Sequence, residues 1–325
     1  MHKLIKEHFA PEFEMSELND SAVLDLSGQL SGGAKVAYTT DSYVVSPLFF
    51  PGGNIGELAV NGTVNDLAMV GARPLYLTSG FILEEGFPVS DLKAVLSSMA
   101  AAARKAGVKI VAGDTKVVDK GKGDGIFINT SGIGIVPEGV KLGPKYITPG
   151  DSVIVSGPIG SHGIAVMAER NGLTFEPPVV SDTAALNSLV ESMLGFTPEI
   201  RMMRDPTRGG VATTLKEMAM ESGKCITVRE DLLPVPGGVK GACDLLGLDP
   251  LYVANEGILI AIAPADKADG LIEEMRKHPL GAGSALIWEV SGGDPKTAGL
   301  LLLRTGIGGT RIMDMLPGEQ LPRIC

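Results

Sequence analysis

Soft metal ligands, aromatic rings and long apolar runs are all scarce in this chain. Its 325 residues include 3 cysteines and 4 histidines. The cysteines (Cys225, Cys243, Cys325) are odd in number and widely spaced. That argues against a disulfide framework and fits a reducing compartment, so a cytoplasmic location is expected. The histidines (His2, His8, His162, His278) show no pairing at zinc-ligand spacing. A net charge of −10 withholds the basic patches that neutralise phosphates, which argues against nucleic acid. No apolar run nears the length of a membrane span, so no membrane partner is expected. The start, Met1-His2-Lys3-Leu4-Ile5-Lys6-Glu7, lacks the apolar stretch of a signal peptide.

What is present is the makings of a globular core. Hydrophobic residues make up 44% and charged residues 20%. The length predicts two domains. Aromatics are only 5% while glycines number 43, so tight turns and close backbone approaches are expected. Strand-like and helix-like segments alternate, which predicts an α/β chain of mixed sheets packed with helices. Expected strands cover 35–39, 74–83, 108–112, 126–136, 153–156, 258–263, 285–290, 300–304 and 307–313, with another starting at Cys225. Expected helices cover part of 1–20, 55–70, 91–106, a segment reaching Arg170, 182–194, 211–221 and 265–277. Asn54 with Glu57 three residues later is a capping-box-like start. Pro149-Gly150 lies in a stretch without periodicity. It divides an N-terminal domain, 1–146, from a second domain, 147–316, followed by a tail, 317–325.

Four aspartates fall at expected element junctions: Asp41, Asp66, Asp114 and Asp205. Such hard oxygen donors suit Mg²⁺, which keeps waters or phosphate oxygens. The bland alternative is that they are turn formers and caps. Asn65 and Asp66 ride on a mostly apolar helix, where buried polar groups need partners or a ligand. The alternative there is that they face a neighbouring backbone and serve packing. Asp114, Thr115 and Lys116 follow a buried strand, a frequent place for active groups. Thr207, Arg208, Gly209 and Gly210 open a helix and form a plausible anion cradle, in which Asp205 makes sense if a cation lies between. Together these point to a nucleoside triphosphate with Mg²⁺. They leave Lys116 and Glu256 for proton transfer and Cys325 as nucleophile or carrier. Gly157-Pro158-Ile159-Gly160-Ser161-His162-Gly163 is a Gly-rich turn into a helix but not a Walker motif. Cys225 and Cys243 read as small core residues. The tail holds Pro317, Gly318 and Pro322, which discourage regular structure, and ends on Cys325. At roughly 3.3 Å per residue, extended, it reaches on the order of 30 Å, enough for one thiol to visit several sites.

Several stretches carry a resemblance that covers nearly the whole chain. They are Thr40-Asp41-Ser42-Tyr43-Val44-Val45, Phe49-Phe50-Pro51-Gly52-Gly53-Asn54-Ile55-Gly56, Asn65-Asp66, Gly80-Phe81-Ile82-Leu83-Glu84-Glu85-Gly86, Gly113-Asp114-Thr115-Lys116-Val117-Val118, Asp205-Pro206-Thr207-Arg208-Gly209-Gly210, Asn255-Glu256-Gly257 and, above all, Pro322-Arg323-Ile324-Cys325. The chain resembles the HypE hydrogenase maturation factors. Their PurM-like superfamily includes aminoimidazole ribonucleotide synthetase, selenophosphate synthetase and thiamine-monophosphate kinase. The resemblance implies a homodimer built on the N-terminal domains, with ATP and Mg²⁺ bound by the aspartates. It implies that Cys325 receives a carbamoyl group from the carbamoyltransferase HypF. ATP-dependent dehydration then converts the thiocarboxamide to thiocyanate, with Lys116 and Glu256 orienting the group and accepting its protons. The cyano group passes to iron on the HypC–HypD complex. One departure is visible: such factors usually begin with His-Gly-Ser-Gly-Gly over the nucleotide phosphates, a stretch this sequence does not contain. Rival expectations are selenophosphate synthetase, which usually carries a reactive Cys or selenocysteine near its N-terminus, and a non-catalytic carrier that only presents its thiol.

Overall fold

The computed structural model describes residues 21–25, 35–292, 294–316, 318 and 321–325. The helix expected within 1–20 lies outside the described residues. The chain first builds a five-stranded sheet. Its strands are β1 (Ala22–Asp25), β2 (Lys35–Tyr43), β5 (Arg73–Glu84), β6 (Lys109–Val118) and β7 (Ile126–Val136). Their order is β1-β2-β7-β5-β6, with only β5 and β6 parallel. A two-stranded ribbon, β3 (Phe49–Phe50) and β4 (Gly53–Asn54), leads into α1 (Ile55–Met69). Asn54 caps α1 as its sequence suggests, its Oδ1 accepting the N–H groups of Gly56 and Glu57. Thirteen of the fifteen residues of α1 are buried, because it is held between the first sheet, helix α2 (Val89–Ala106) and the second half of the chain. The helices cover one face of this sheet. Among the described residues nothing covers the other face, which presents Tyr38, Tyr76 and Ile82.

The second sheet has seven strands in the order β14-β13-β10-β12-β8-β11-β9. These are β8 (Ser152–Val155), β9 (Met202–Arg204), β10 (Cys225–Arg229), β11 (Ile260–Ala263), β12 (Ala285–Ser291), β13 (Leu301–Arg304) and β14 (Thr310–Met313). Every residue of β8 and β11 is buried, as expected for strands covered on both faces. Helix α3 (Ser161–Asn171) and α6 (Gly237–Leu246) pack on each other at one side. On the sheet, α5 (Gly210–Ser222) covers one face, and α4 (Asn187–Phe196) with α7 (Ala265–Arg276) covers the other. The α/β class with mixed sheets is therefore what the alternation implied.

Three local differences matter for function. The strand broken in sequence at Asp41 runs on through Tyr43. The strand expected to stop before Gly113 continues to Val118, so Asp114 and Lys116 lie inside an edge strand. The helix expected from 182 starts only at Asn187, leaving 181–186 as a loop against the other domain's core. In that loop Ser181, Asp182 and Thr183 spend their side chains on hydrogen bonds elsewhere, which competes with helix formation.

Candidate active site

A hollow of about 660 Å³ lies between the two halves of the chain. Its walls come from β2 (Thr39, Asp41, Tyr43), α1 (Gly62, Asp66), the turn 204–209, α5 (Thr213, Glu217), Glu256 and the end of the tail. Asp41 reaches it because Thr39, Asp41 and Tyr43 alternate to the α1 side of β2. Thr39 donates its hydroxyl to Asp66 at 2.8 Å, orienting that carboxylate on α1. Asp205 is 6% exposed and lines the same space.

Glu256 is placed by its backbone. Asn255 Nδ2 donates to the Pro206 carbonyl at 3.0 Å, and its Oδ1 accepts the Gly160 N–H at 2.6 Å. Asp182 accepts the N–H groups of Glu256 and Gly257 at 3.2 Å. Gly257 is a forced glycine here, since a Cβ would stand 1.6 Å from the Asp182 carbonyl oxygen. The side chain of Glu256 is 2% exposed and its Oε1 has no hydrogen-bond partner. Burial, reinforced by Asp205, Asp182 and Asp41, holds its carboxyl well above the usual range, while Arg208 pulls the other way.

Helix α5 points its N-terminus at the cavity. Gly209 and Gly210 both take positive φ, 78° and 61°. At Gly210 a Cβ would meet the Leu251 and Val253 carbonyls at 2.6 Å, so only glycine lets the helix start so close to that segment. Thr207, Arg208 and Gly209 line the cavity. Free N–H groups beside a guanidinium favour phosphate oxygens.

The tail enters the same hollow. Arg323, Ile324 and Cys325 run alongside residues 44–46: the Val44 N–H donates to the Cys325 carbonyl oxygen at 3.0 Å and the Ser46 N–H to Arg323 at 3.2 Å. Ile324 is 2% exposed and joins the first domain's core. The Cys325 sulfur lines the cavity, with Arg208 Nη2 at 3.7 Å. Burial first, then Glu256 and Asp41, push its thiol up to about 12, against the pull of Arg208. Docked, the sulfur is a protonated thiol, poor as a nucleophile.

Some expected ligands stand elsewhere. Asn65, expected to touch nucleotide, is fully buried and spends its amide on the other domain. Its Nδ2 donates to the Ala184 carbonyl at 3.0 Å, and its Oδ1 accepts the Leu186 N–H at 2.8 Å. It serves packing between the domains, the alternative that its apolar helix left open. Asp114, Thr115 and Lys116 do not line the cavity. Asp114 and Lys116 pair with each other at 2.8 Å on exposed β6 and line a separate hollow on the open face, with Ser42, Gly80, Ile82 and Asn129. Asp182, Tyr43 and Glu217 escaped the sequence reading. Asp182 carried one usable signal, a Ser-Asp-Thr run at 181–183 typical of turns.

Among the described residues no three His, Cys, Asp or Glu side chains converge closely enough to cage a metal. The all-oxygen set of Asp41, Asp66 and Asp205 nevertheless fits Mg²⁺, which is commonly held by one or two carboxylates together with substrate phosphates. No described helix is long and apolar enough to cross a membrane.

Comparison with known proteins agrees with this architecture. Residues 18–136 match the N-terminal domain, and residues 148–299 the C-terminal domain, of AIR synthase related proteins. The carbamoyl dehydratase HypE of Azotobacter vinelandii is 52% identical over 328 aligned residues, which span 100% of this chain and 94% of that protein. The crystal structure of HypE in complex with ATP superposes with a TM-score of 0.87 at 47% identity, covering 100% of this chain and 96% of that one. A chain of the HypE–HypF complex superposes with a TM-score of 0.88 at 48% identity, covering 96% and 99%. With its two AIR synthase related domains and this full-length similarity, the chain belongs to the HypE carbamoyl dehydratase family.

Proposed function

We propose that this protein dehydrates a carbamoyl group carried on Cys325, using ATP, and so supplies the cyano ligand for the iron of a [NiFe] hydrogenase. The observation that carries this reading is the meeting of the Cys325 sulfur, Arg208 and the buried Glu256 carboxyl in one cavity walled by Asp41, Asp66 and Asp205.

The reaction consumes a thiocarboxamide, R–S–C(=O)NH₂, and ATP, and yields R–S–C≡N, ADP and phosphate. The amide oxygen attacks the γ-phosphorus and later leaves as phosphate. The nitrogen gives up both protons as the C≡N bond forms. Cys325 presents the group, and the docked tail fixes its distance from the phosphates. Arg208 and the N-terminus of α5 bind phosphate oxygens. Mg²⁺ held by Asp41, Asp66 and Asp205 would offset charge on the transferring phosphoryl group. Glu256, whose buried carboxyl binds protons tightly, accepts an amide proton. Lys116 and Asp114 take part from a second copy of the chain. Strand β6 favours such a homodimer: it is exposed along nearly its whole length, with Val111 at 58% and Val117 at 67%, an edge unpaired among the described residues that invites another strand or sheet. Carbamoyl transfer from HypF and cyanide delivery to HypC–HypD require the tail to leave the cavity, since the docked thiol faces into it. The free thiols of Cys225, Cys243 and Cys325 suit the reducing cytoplasm.

Intact-protein mass spectrometry tests the reading. After incubation with HypF, carbamoyl phosphate, ATP and Mg²⁺, the C-terminal peptide should carry a carbamoyl adduct on Cys325 that loses one water only with ATP. An adduct that never loses water would leave a carrier without dehydratase activity.

A further inference from the structure

Helix α3 carries two side chains that grip the tail and that the dehydration chemistry does not use. His162, near its start, is fully buried. Its Nε2 stands 2.8 Å from the Ile324 carbonyl oxygen, and its Nδ1 stands 2.8 Å from Ser181 Oγ. A carbonyl only accepts, so Nε2 carries the hydrogen and Nδ1 accepts from the serine hydroxyl. The Phe50 ring meets the imidazole edge-on at 5.3 Å and fixes its plane. Arg170 lies eight residues further, about 12 Å along the helix. Its Nη1 and Nη2 donate to the Pro322 and Arg323 carbonyls, each at 2.8 Å, and its Nε donates to the Ser46 carbonyl at 2.8 Å.

Three successive tail carbonyls are thus held by one rigid helix. We propose that His162 and Arg170 are positioning residues that clasp the tail backbone and set how far the Cys325 sulfur projects into the cavity. The clasp reads main-chain carbonyls, and Ile324 supplies the apolar plug between them. Neither His162 nor Arg170 lines the cavity, so their effect on chemistry passes through the tail alone. Burial lowers His162 to about 4, which keeps the imidazole neutral and in its donating tautomer at physiological pH. The same loop that receives Nδ1 at Ser181 holds the Glu256 backbone at Asp182. The thiol and the proton acceptor are therefore referred to one frame.

The catalytic consequence rests on the dehydratase reading, but the clasp is tested without it. The full-length protein is treated with iodoacetamide, and labelling of the Cys325 peptide is followed by mass spectrometry. Cys225 and Cys243 are buried and serve as internal controls. Arg170→Ala and His162→Leu should each label Cys325 at least about tenfold faster than wild type, the equivalent of one lost hydrogen bond to a charged or buried partner. His162→Gln, whose amide can still donate to the Ile324 carbonyl, should restore slow labelling. Because His162→Leu fills a buried polar site and could unfold the chain, the half-exposed Arg170→Ala variant keeps the test decisive. Wild-type labelling rates in Arg170→Ala, with near-ultraviolet circular dichroism unchanged, would overturn the clasp. In single-turnover dehydration of carbamoylated protein, Arg170→Ala should lower the rate at saturating ATP while leaving the KM for ATP unchanged. If wild type itself fails to dehydrate, the functional reading falls and the labelling result still stands or falls by its own outcome.

Discussion

Asp41 and Asp114 belong to one sheet but point to opposite faces of it. Across the strands, Asp41 is in register with Thr130 and Ser79, whereas Asp114 is in register with Gly80, Asn129 and Ser42. One step of register turns every side chain over. Asp41 looks into the cavity beside α1, and Asp114 looks out from the open face. Two carboxylates expected to share a metal therefore do so only if a second chain brings its own Asp114 to the site.

Mixed dimers check this. Asp66→Asn and Asp114→Asn should each lose ATP turnover. Co-expressed, they should regain about a quarter of wild-type activity, because one of the four possible sites then has both carboxylates. No recovery on mixing would mean that Asp114 does not serve a shared site.

Charge on the exposed edge should break the proposed dimer. Val111→Lys places an ammonium on β6 where Val111 is 58% exposed, so stability of the single chain should change by less than about 0.5 kcal/mol. Analytical ultracentrifugation should then find monomers, with ATP turnover lost alongside.

Arg208 stands 3.7 Å from the Cys325 sulfur and at the start of α5. Arg208→Ala should slow dehydration roughly a hundredfold, the usual scale for removing a group that stabilises developing charge. Single-turnover kinetics on carbamoylated protein would read it, and a change below about threefold would remove Arg208 from the reacting centre.

Gly257 has no room for a methyl group. Gly257→Ala should destabilise the protein by about 3 kcal/mol or more, since a Cβ would collide with the Asp182 backbone. Urea unfolding measures this, and a shift below about 1 kcal/mol would mean that the 181–184 loop yields easily.

Asp182 and His162 oppose each other in pH dependence. Burial raises Asp182 from 3.8 to about 6, so the folded state holds its proton more tightly and this contribution to stability falls as pH rises from about 4 to 6. Burial lowers His162 from 6.5 to about 4, so its contribution falls as pH drops from 6.5 to 4. Each effect is on the order of 3 kcal/mol, so these two contributions nearly cancel. Asp182→Asn removes one of them, so the variant's stability relative to wild type should fall by about 3 kcal/mol between pH 6 and 4 in urea titrations. A difference from wild type that does not change with pH would contradict this.

The class of fold was readable because period and punctuation are local. Asn54 starts α1 with an amide that reaches two residues ahead, and Gly107 ends α2 in the left-handed conformation that glycine accepts freely. The start of α5 was readable for the same reason, since Thr207 to Gly210 is one continuous turn into a helix. Reading failed where a residue's role depends on what lies opposite. The 181–186 segment has helical neighbours, yet Ser181, Asp182 and Thr183 find better partners in His162, Glu256 and Asn61.

Composition, element order, the turn that starts α5 and the terminal thiol are thus properties of the sequence alone, the elements being set by interactions within a few residues. The tertiary structure decided which carboxylates share a cavity, where the tail rests and what holds it. Asp41 and Asp114 are divided by one step of register, Asn65 is consumed by a carbonyl more than a hundred residues away, and His162 meets Ile324 across almost half the chain. Contacts of that span exist only once the two sheets have packed, because no short-range preference brings such groups together.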